Sequence, residues 1–128
     1  VVPGVSSAIA VPAYAGIPVT HRALSTSFTV ITGHERNGCS TLNYEVLAQL
    51  DTLVFLMGVK HLPEITTSLI LHGRAPDTPV ACIESGTYAH QRTVRGTLAT
   101  ITEIAHDLKP PSITVVGEVA GLHLDWYK

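Results

Sequence analysis

Aromatic residues make up only 5% of the sequence, and Asp, Glu, Lys and Arg together only 14%. The first shortage dictates an aliphatic core of Val, Ile, Leu and Ala, a mixture common where strands are covered by helices on both faces. The second, with a net charge of −2 and no basic run, argues against nucleic acid and anionic membrane as partners. No apolar stretch approaches the roughly 20 residues needed to span a bilayer, and no secretory leader is visible. Two cysteines occur, Cys39 in a loop-like NGCS and Cys82 in an apolar run. They predict reduced thiols, a cytoplasmic setting and no zinc site. The histidines show no metal-ligand pattern. A nucleophile elbow, a phosphate loop, a GxGxxG turn and an obvious pair of carboxylates are all missing, so no general acid or base can be named. Glu84 and Glu118, read as the ends of two strands, are far apart in sequence.

What is present suits one domain with one core: 128 residues, 45% of them hydrophobic. The opening VVPGVSSAIAVPAYAGIP has no initiator methionine. Val1-Val2 reads as the end of a buried strand, followed by a loop and a helix over 5–15 that Ser6 or Ser7 can cap. Pro12 should kink that helix or confine it to short pieces. Strands are predicted at 27–32, 52–57, 79–84, 91–97 and 112–119. Helices are predicted at 43–50, at 62–72 with Pro63 in its first turn and Gly73 as terminator, and from a Thr97 cap to about Leu108. This alternation predicts an α/β fold with a mixed, mostly parallel sheet flanked by helices, the polar-apolar strand 91–97 lying near an edge.

In such sheets ligands collect beyond the carboxyl ends of strands. Four loops fall there: PGVSSA, TGHE, MGVK and ESGT. All four carry a glycine at or near the strand end, where the backbone can turn sharply and a ligand can approach the main chain. Ser6 and Ser7 put hydroxyls and free N–H groups at a helix start, which suits a carboxylate or ribose hydroxyls as well as an ordinary cap. Arg22 and His34 offer bidentate carboxylate binding and a hydrogen bond or proton, or else are simply solvated. The residues alone support an α/β domain with a rim for a small, flat molecule.

Taken in order, VVPGVSSAIAVPAYAGIPVTHR, TGH, LDTLVFLMGV, PDTPVA, ESGT and VVGEV resemble the uroporphyrinogen-III C-methyltransferases of the tetrapyrrole methylase family. The resemblance implies that residues 1–128 are the carboxyl-terminal domain of a two-domain fold whose cofactor lies between the domains, with the amino-terminal domain absent from this chain. It implies methyl transfer from S-adenosyl-L-methionine to carbons of uroporphyrinogen III. The products would be S-adenosyl-L-homocysteine and precorrin-2, at the branch toward siroheme and cobalamin. Ser6, Ser7, Met57 and Gly86 would contact the cofactor, and Arg22, His34 and Met57 the tetrapyrrole. No metal is implied, and a homodimer is typical of the family. A related precorrin methyltransferase, or an isolated fragment that folds and dimerises without catalysing, are the alternatives.

Overall fold

Five strands and four helices make up the regular structure of the described residues. The computed structural model of the chain describes residues 1–33 and 41–125. Helix α1 (Ser7–Tyr14) starts where the sequence predicts, with the Ser6 hydroxyl accepting from the Ala8 N–H at 3.1 Å. It runs through Pro12 and ends two residues later. Strand β1 (Phe28–Thr32), helix α2 (Tyr44–Leu47) and strand β2 (Thr52–Leu56) follow. The Asn43 side chain caps α2 by accepting from the Val46 N–H. A 3-10 turn (Val59–His61) leads into α3 (Leu62–Leu71), and β3 (Pro79–Glu84) and β4 (Arg92–Thr97) form a hairpin. Helix α4 (Ile101–Ile104), β5 (Ser112–Val116) and a 3-10 turn (Glu118–Gly121) complete the order.

Three sequence expectations are corrected here. Val1 and Val2 are exposed and lie in no strand. The helix predicted from Thr97 to Leu108 shrinks to α4. Thr97 still pairs with Pro79 in the hairpin, and the Thr100 hydroxyl accepts from the Thr97 N–H at 2.9 Å. β5 stops at Val116 because Gly117 turns the chain out of the sheet (φ 140°) and its N–H donates to the Pro79 carbonyl at 3.0 Å. Glu118 therefore opens a 3-10 turn instead of ending a strand.

The sheet order is β1-β2-β5-β3-β4. It is mixed, as the alternation predicts, but not mostly parallel: β1 and β2 pair parallel, and the other three pairings are antiparallel. The reason is the return of the chain. After the β3–β4 hairpin occupies the outer edge, β5 comes back and fills the place between β2 and β3, running against both. β1, β2 and β3 nonetheless point the same way, so Thr32, Leu56 and Glu84 end at one sheet edge, beside the start of β5. Glu84 pairs with Ser112 there, and Leu56 with Ile113.

Alternate strand residues feed two cores. Leu53, Phe55, Val80, Cys82 and Val116 pack with α2, α3 and α4 on one face. Val54, Ala81, Ile83, Ile113 and Val115 pack with Ala8 and Val11 of α1 on the other. Arg95 anchors the carboxyl end of α1 by donating to the carbonyls of Ala15 (2.7 Å), Ala120 (2.9 Å) and Leu122 (2.7 Å). Its burial lowers its pKa.

Cys82 is fully buried, and burial raises its thiol pKa from 9.0 to about 11. The folded state holds the proton more tightly than the unfolded one. Stability from this group is therefore complete below pH 9 and declines as the pH rises toward 11. At about 1.36 kcal/mol per unit, the loss is on the order of 2 kcal/mol. Urea unfolding at mildly and strongly alkaline pH should show a smaller drop in Cys82→Ala than in the parent. An equal drop would mean that the thiol is not the cause.

Candidate functional site

The edge where β1, β2 and β3 end is also where the loops turn most sharply. Non-glycine residues rarely adopt positive φ, at a cost of about 1–3 kcal/mol each. Among the described residues four do so, and three flank this edge: Met57 (φ 56°), Ser85 (φ 51°) and Thr87 (φ 73°). The neighbouring glycines serve another purpose. Gly33 and Gly58 let the loops after β1 and β2 touch, since a Cβ on Gly33 would lie 2.6 Å from the Gly58 Cα. The Gly33 N–H also donates to the Leu56 carbonyl at 2.7 Å. A Cβ on Gly86 would lie 2.4 Å from a methyl of Val11, so α1 sits directly on this residue. The Ser85 N–H donates to the Pro111 carbonyl at 2.9 Å, tying the end of β3 to the start of β5.

These loops frame an open cleft of about 810 Å³, within the range of small-molecule sites. One wall is α1 and the segment leading into it, with Val5, Ser7 and Val11. Met57 and Lys60 line a second side, Gly86 and Tyr88 a third, and Pro110 to Ile113 the floor. The described lining residues are mainly apolar and include no acidic side chain. The Ser112 hydroxyl is buried there without a hydrogen-bond partner. Val5, Met57 and Tyr88 remain largely exposed at the mouth, 84%, 59% and 63%. Apolar and aromatic side chains left open around a concavity are what a ligand or a further wall would cover.

Of the residues singled out from the sequence, the fold brings Ser7, Met57 and Gly86 together on this cleft. Ser6 is adjacent, but its hydroxyl is taken up in capping α1. Arg22 goes elsewhere. It lies exposed in the turn His21–Ser25, which is pinned by a Ser25–Thr52 hydroxyl pair at 2.7 Å and by the Thr26 N–H donating to Asp51 at 3.0 Å. Thr52 begins β2 and Met57 follows its end, so Arg22 sits toward the opposite edge of the sheet. His34 and Cys39 lie outside the described residues. Among the described residues no group of His, Cys, Asp and Glu could hold a metal ion, and no helix is long and apolar enough to cross a membrane.

Sequence reasoning missed Val11, Lys60, Tyr88 and the Pro110–Ile113 floor. Lys60 stands within MGVK and Tyr88 just after ESGT, so both were within sight of the strand-end rule. The floor was not, because it belongs to the beginning of a strand that only its antiparallel insertion carries to this edge.

Comparison with known proteins agrees with this geometry. Residues 1–102 match the family of tetrapyrrole (corrin/porphyrin) methylases. An S-adenosyl-L-methionine-dependent uroporphyrinogen III methyltransferase of Methanosarcina barkeri is 56% identical, over 96% of this chain and 50% of that protein. A siroheme synthase of Tolumonas auensis is 48% identical, over 99% of this chain and 28% of its own length. The crystal structure of a uroporphyrin-III C-methyl transferase from Thermus thermophilus, complexed with S-adenyl homocysteine, superposes with a TM-score of 0.81 at 32% identity. It covers 94% of this chain and 50% of its own. The chain thus spans half or less of the length of these relatives.

Proposed function

The chain belongs to the tetrapyrrole methylase family, and from that premise we propose that it forms one wall of a cleft where a methyl group passes from S-adenosyl-L-methionine to a carbon of uroporphyrinogen III. Residues 1–128 act as the carboxyl-terminal domain, and a second domain closes the cleft from the other side. The observation that carries this reading is the convergence of Ser7, Met57 and Gly86 on a single apolar cleft whose rim is left open. The relatives, about twice as long or more, agree with a second wall.

When bound, the cofactor would supply a methyl group activated by its sulfonium, open to in-line attack by an electron-rich pyrrole carbon with release of S-adenosyl-L-homocysteine and loss of a proton from the methylated ring. The task left to the protein is alignment, and holding two reactants in attack geometry is worth roughly 7–11 kcal/mol. In this reading the start of α1 and the Gly86 turn hold the cofactor, with backbone N–H groups near Ser6 and Ser7 available as donors. Met57 projects from a left-handed residue at the end of β2 and separates the two reactants. The apolar lining keeps water from the reacting centre. His34 is retained as a tetrapyrrole contact, whereas Arg22, toward the far edge, is not assigned to this cleft. The product, precorrin-2, would feed siroheme formation.

Calorimetric titration with S-adenosyl-L-homocysteine tests the shared cleft. Weak or absent binding is expected for residues 1–128 alone. Micromolar-class binding is expected once the chain is extended by the proposed amino-terminal domain. Tight binding by residues 1–128 alone would overturn the two-wall arrangement, and no binding by either would overturn the cofactor assignment.

A further inference from the structure

Among the described residues, Lys60 is the single charged side chain lining the cleft, and it has no partner there. Glu64, four positions on and in the first turn of α3, makes no ion pair with it. The pair found among the described residues joins Arg92 to Asp107. Glu84, the acidic residue that ends β3 at this edge, is engaged by the Lys109 N–H at 2.8 Å. The main chain beneath Lys60 is fixed, because the 3-10 turn closes with the His61 N–H donating to the Gly58 carbonyl at 3.0 Å. The result is an exposed ammonium on a flexible stem at the side of a mainly apolar cavity with no acidic side chain among its described lining residues.

We propose that Lys60 is the carboxylate anchor of this cleft. Attraction between a cation and an anion strengthens as water is displaced from around them, and an apolar lining displaces it. With no acidic side chain among the described lining residues to compete, the ligand is the source of the carboxylate in this proposal. The proposal rests on the methyl-transfer reading, which offers two sources. One is the amino-acid end of the methyl donor. The other is the set of acetate and propionate arms on the tetrapyrrole.

The experiment uses the complete polypeptide that carries this chain, as parent, Lys60→Gln and Lys60→Arg. Calorimetry compares S-adenosyl-L-homocysteine with 5′-methylthioadenosine, which keeps the thioadenosine and lacks the amino-acid carboxylate. Initial rates give the KM for uroporphyrinogen III. Removing a charge-assisted hydrogen bond costs about tenfold or more in affinity. A loss of that size for S-adenosyl-L-homocysteine, but not for 5′-methylthioadenosine, supports the anchor and assigns it to the donor. A comparable rise in KM with unchanged S-adenosyl-L-homocysteine affinity supports it and assigns it to the tetrapyrrole. In either case Lys60→Arg should recover much of the loss. If neither quantity moves in Lys60→Gln, the side chain is merely solvated and the proposal is wrong. Failure of the methyl-transfer reading looks different, since the parent itself would then not bind S-adenosyl-L-homocysteine.

Discussion

Gly86→Ala is expected to destabilise the fold by about 1–3 kcal/mol, the usual cost of forcing extra volume into a packed site, and to weaken S-adenosyl-L-homocysteine binding with it. The new methyl carbon would stand 2.4 and 2.6 Å from the two methyls of Val11 and 3.0 Å from its Cβ. Val11 cannot swing aside, because it is buried in the core beneath α1 together with Ile83 and Ile113. Relief must come from moving the helix, and the helix carries Ser7 and a whole wall of the cleft. Gly86 is not among the residues with positive φ, so the penalty comes from packing and not from backbone strain. A double-mutant cycle separates the two roles this glycine could have. Val11→Ala should restore much of the stability lost in Gly86→Ala, giving a clear coupling between neighbours. If stability returns in the double variant while ligand affinity stays low, the glycine serves the ligand directly. If both return, it serves the seating of α1. Additive losses would remove the clash as the cause.

Gly117→Ala should cost more, about 3–5 kcal/mol, from strain and overpacking together. That is a large part of the total stability of an ordinary domain. With φ 140° and ψ 174°, Gly117 occupies a region that is essentially reserved for glycine. An added Cβ would also lie 2.6 Å from the Asp51 carbonyl oxygen and 3.3 Å from the Thr52 Cα. Both are backbone atoms at the start of β2 and cannot rotate away. The expected result is a lower urea midpoint with an unchanged slope. Gly73→Ala is the control: its φ is 102°, but nothing lies within 4 Å of the added carbon. It carries backbone strain alone and should cost less. Equal losses at the two positions would show that contact with β2 contributes nothing.

These glycines mark where reading the sequence succeeds and where it stops. The sequence singles out the Gly of ESGT for the approach of a ligand, whereas the structure gives it Val11 of α1, 75 residues away, as its neighbour. The residues beside it, Ser85 and Thr87, take the left-handed conformations that a local reading would have given to glycine. Nothing in their types announces this, since the surrounding hydrogen bonds impose it. One of those is the Ser85 N–H on the Pro111 carbonyl.

Local pattern was enough to place β3 at Pro79–Glu84, α3 with Pro63 in its first turn, a serine cap at the start of α1, and the aliphatic core on two faces. Each depends on the residue types within a turn or a strand, so the sequence by itself determined them. The run of short motifs likewise carried the family. Tertiary structure alone decided that β5 runs backwards between β2 and β3, that the turn carrying Arg22 lies toward the other edge from Met57, and that Lys60 lines a cleft with no acidic side chain among its described lining residues. A strand buried on both faces reads the same whichever way its neighbours run. Its direction is chosen by which arrangement buries the most apolar surface with its backbone bonds satisfied, and that choice belongs to the whole chain at once.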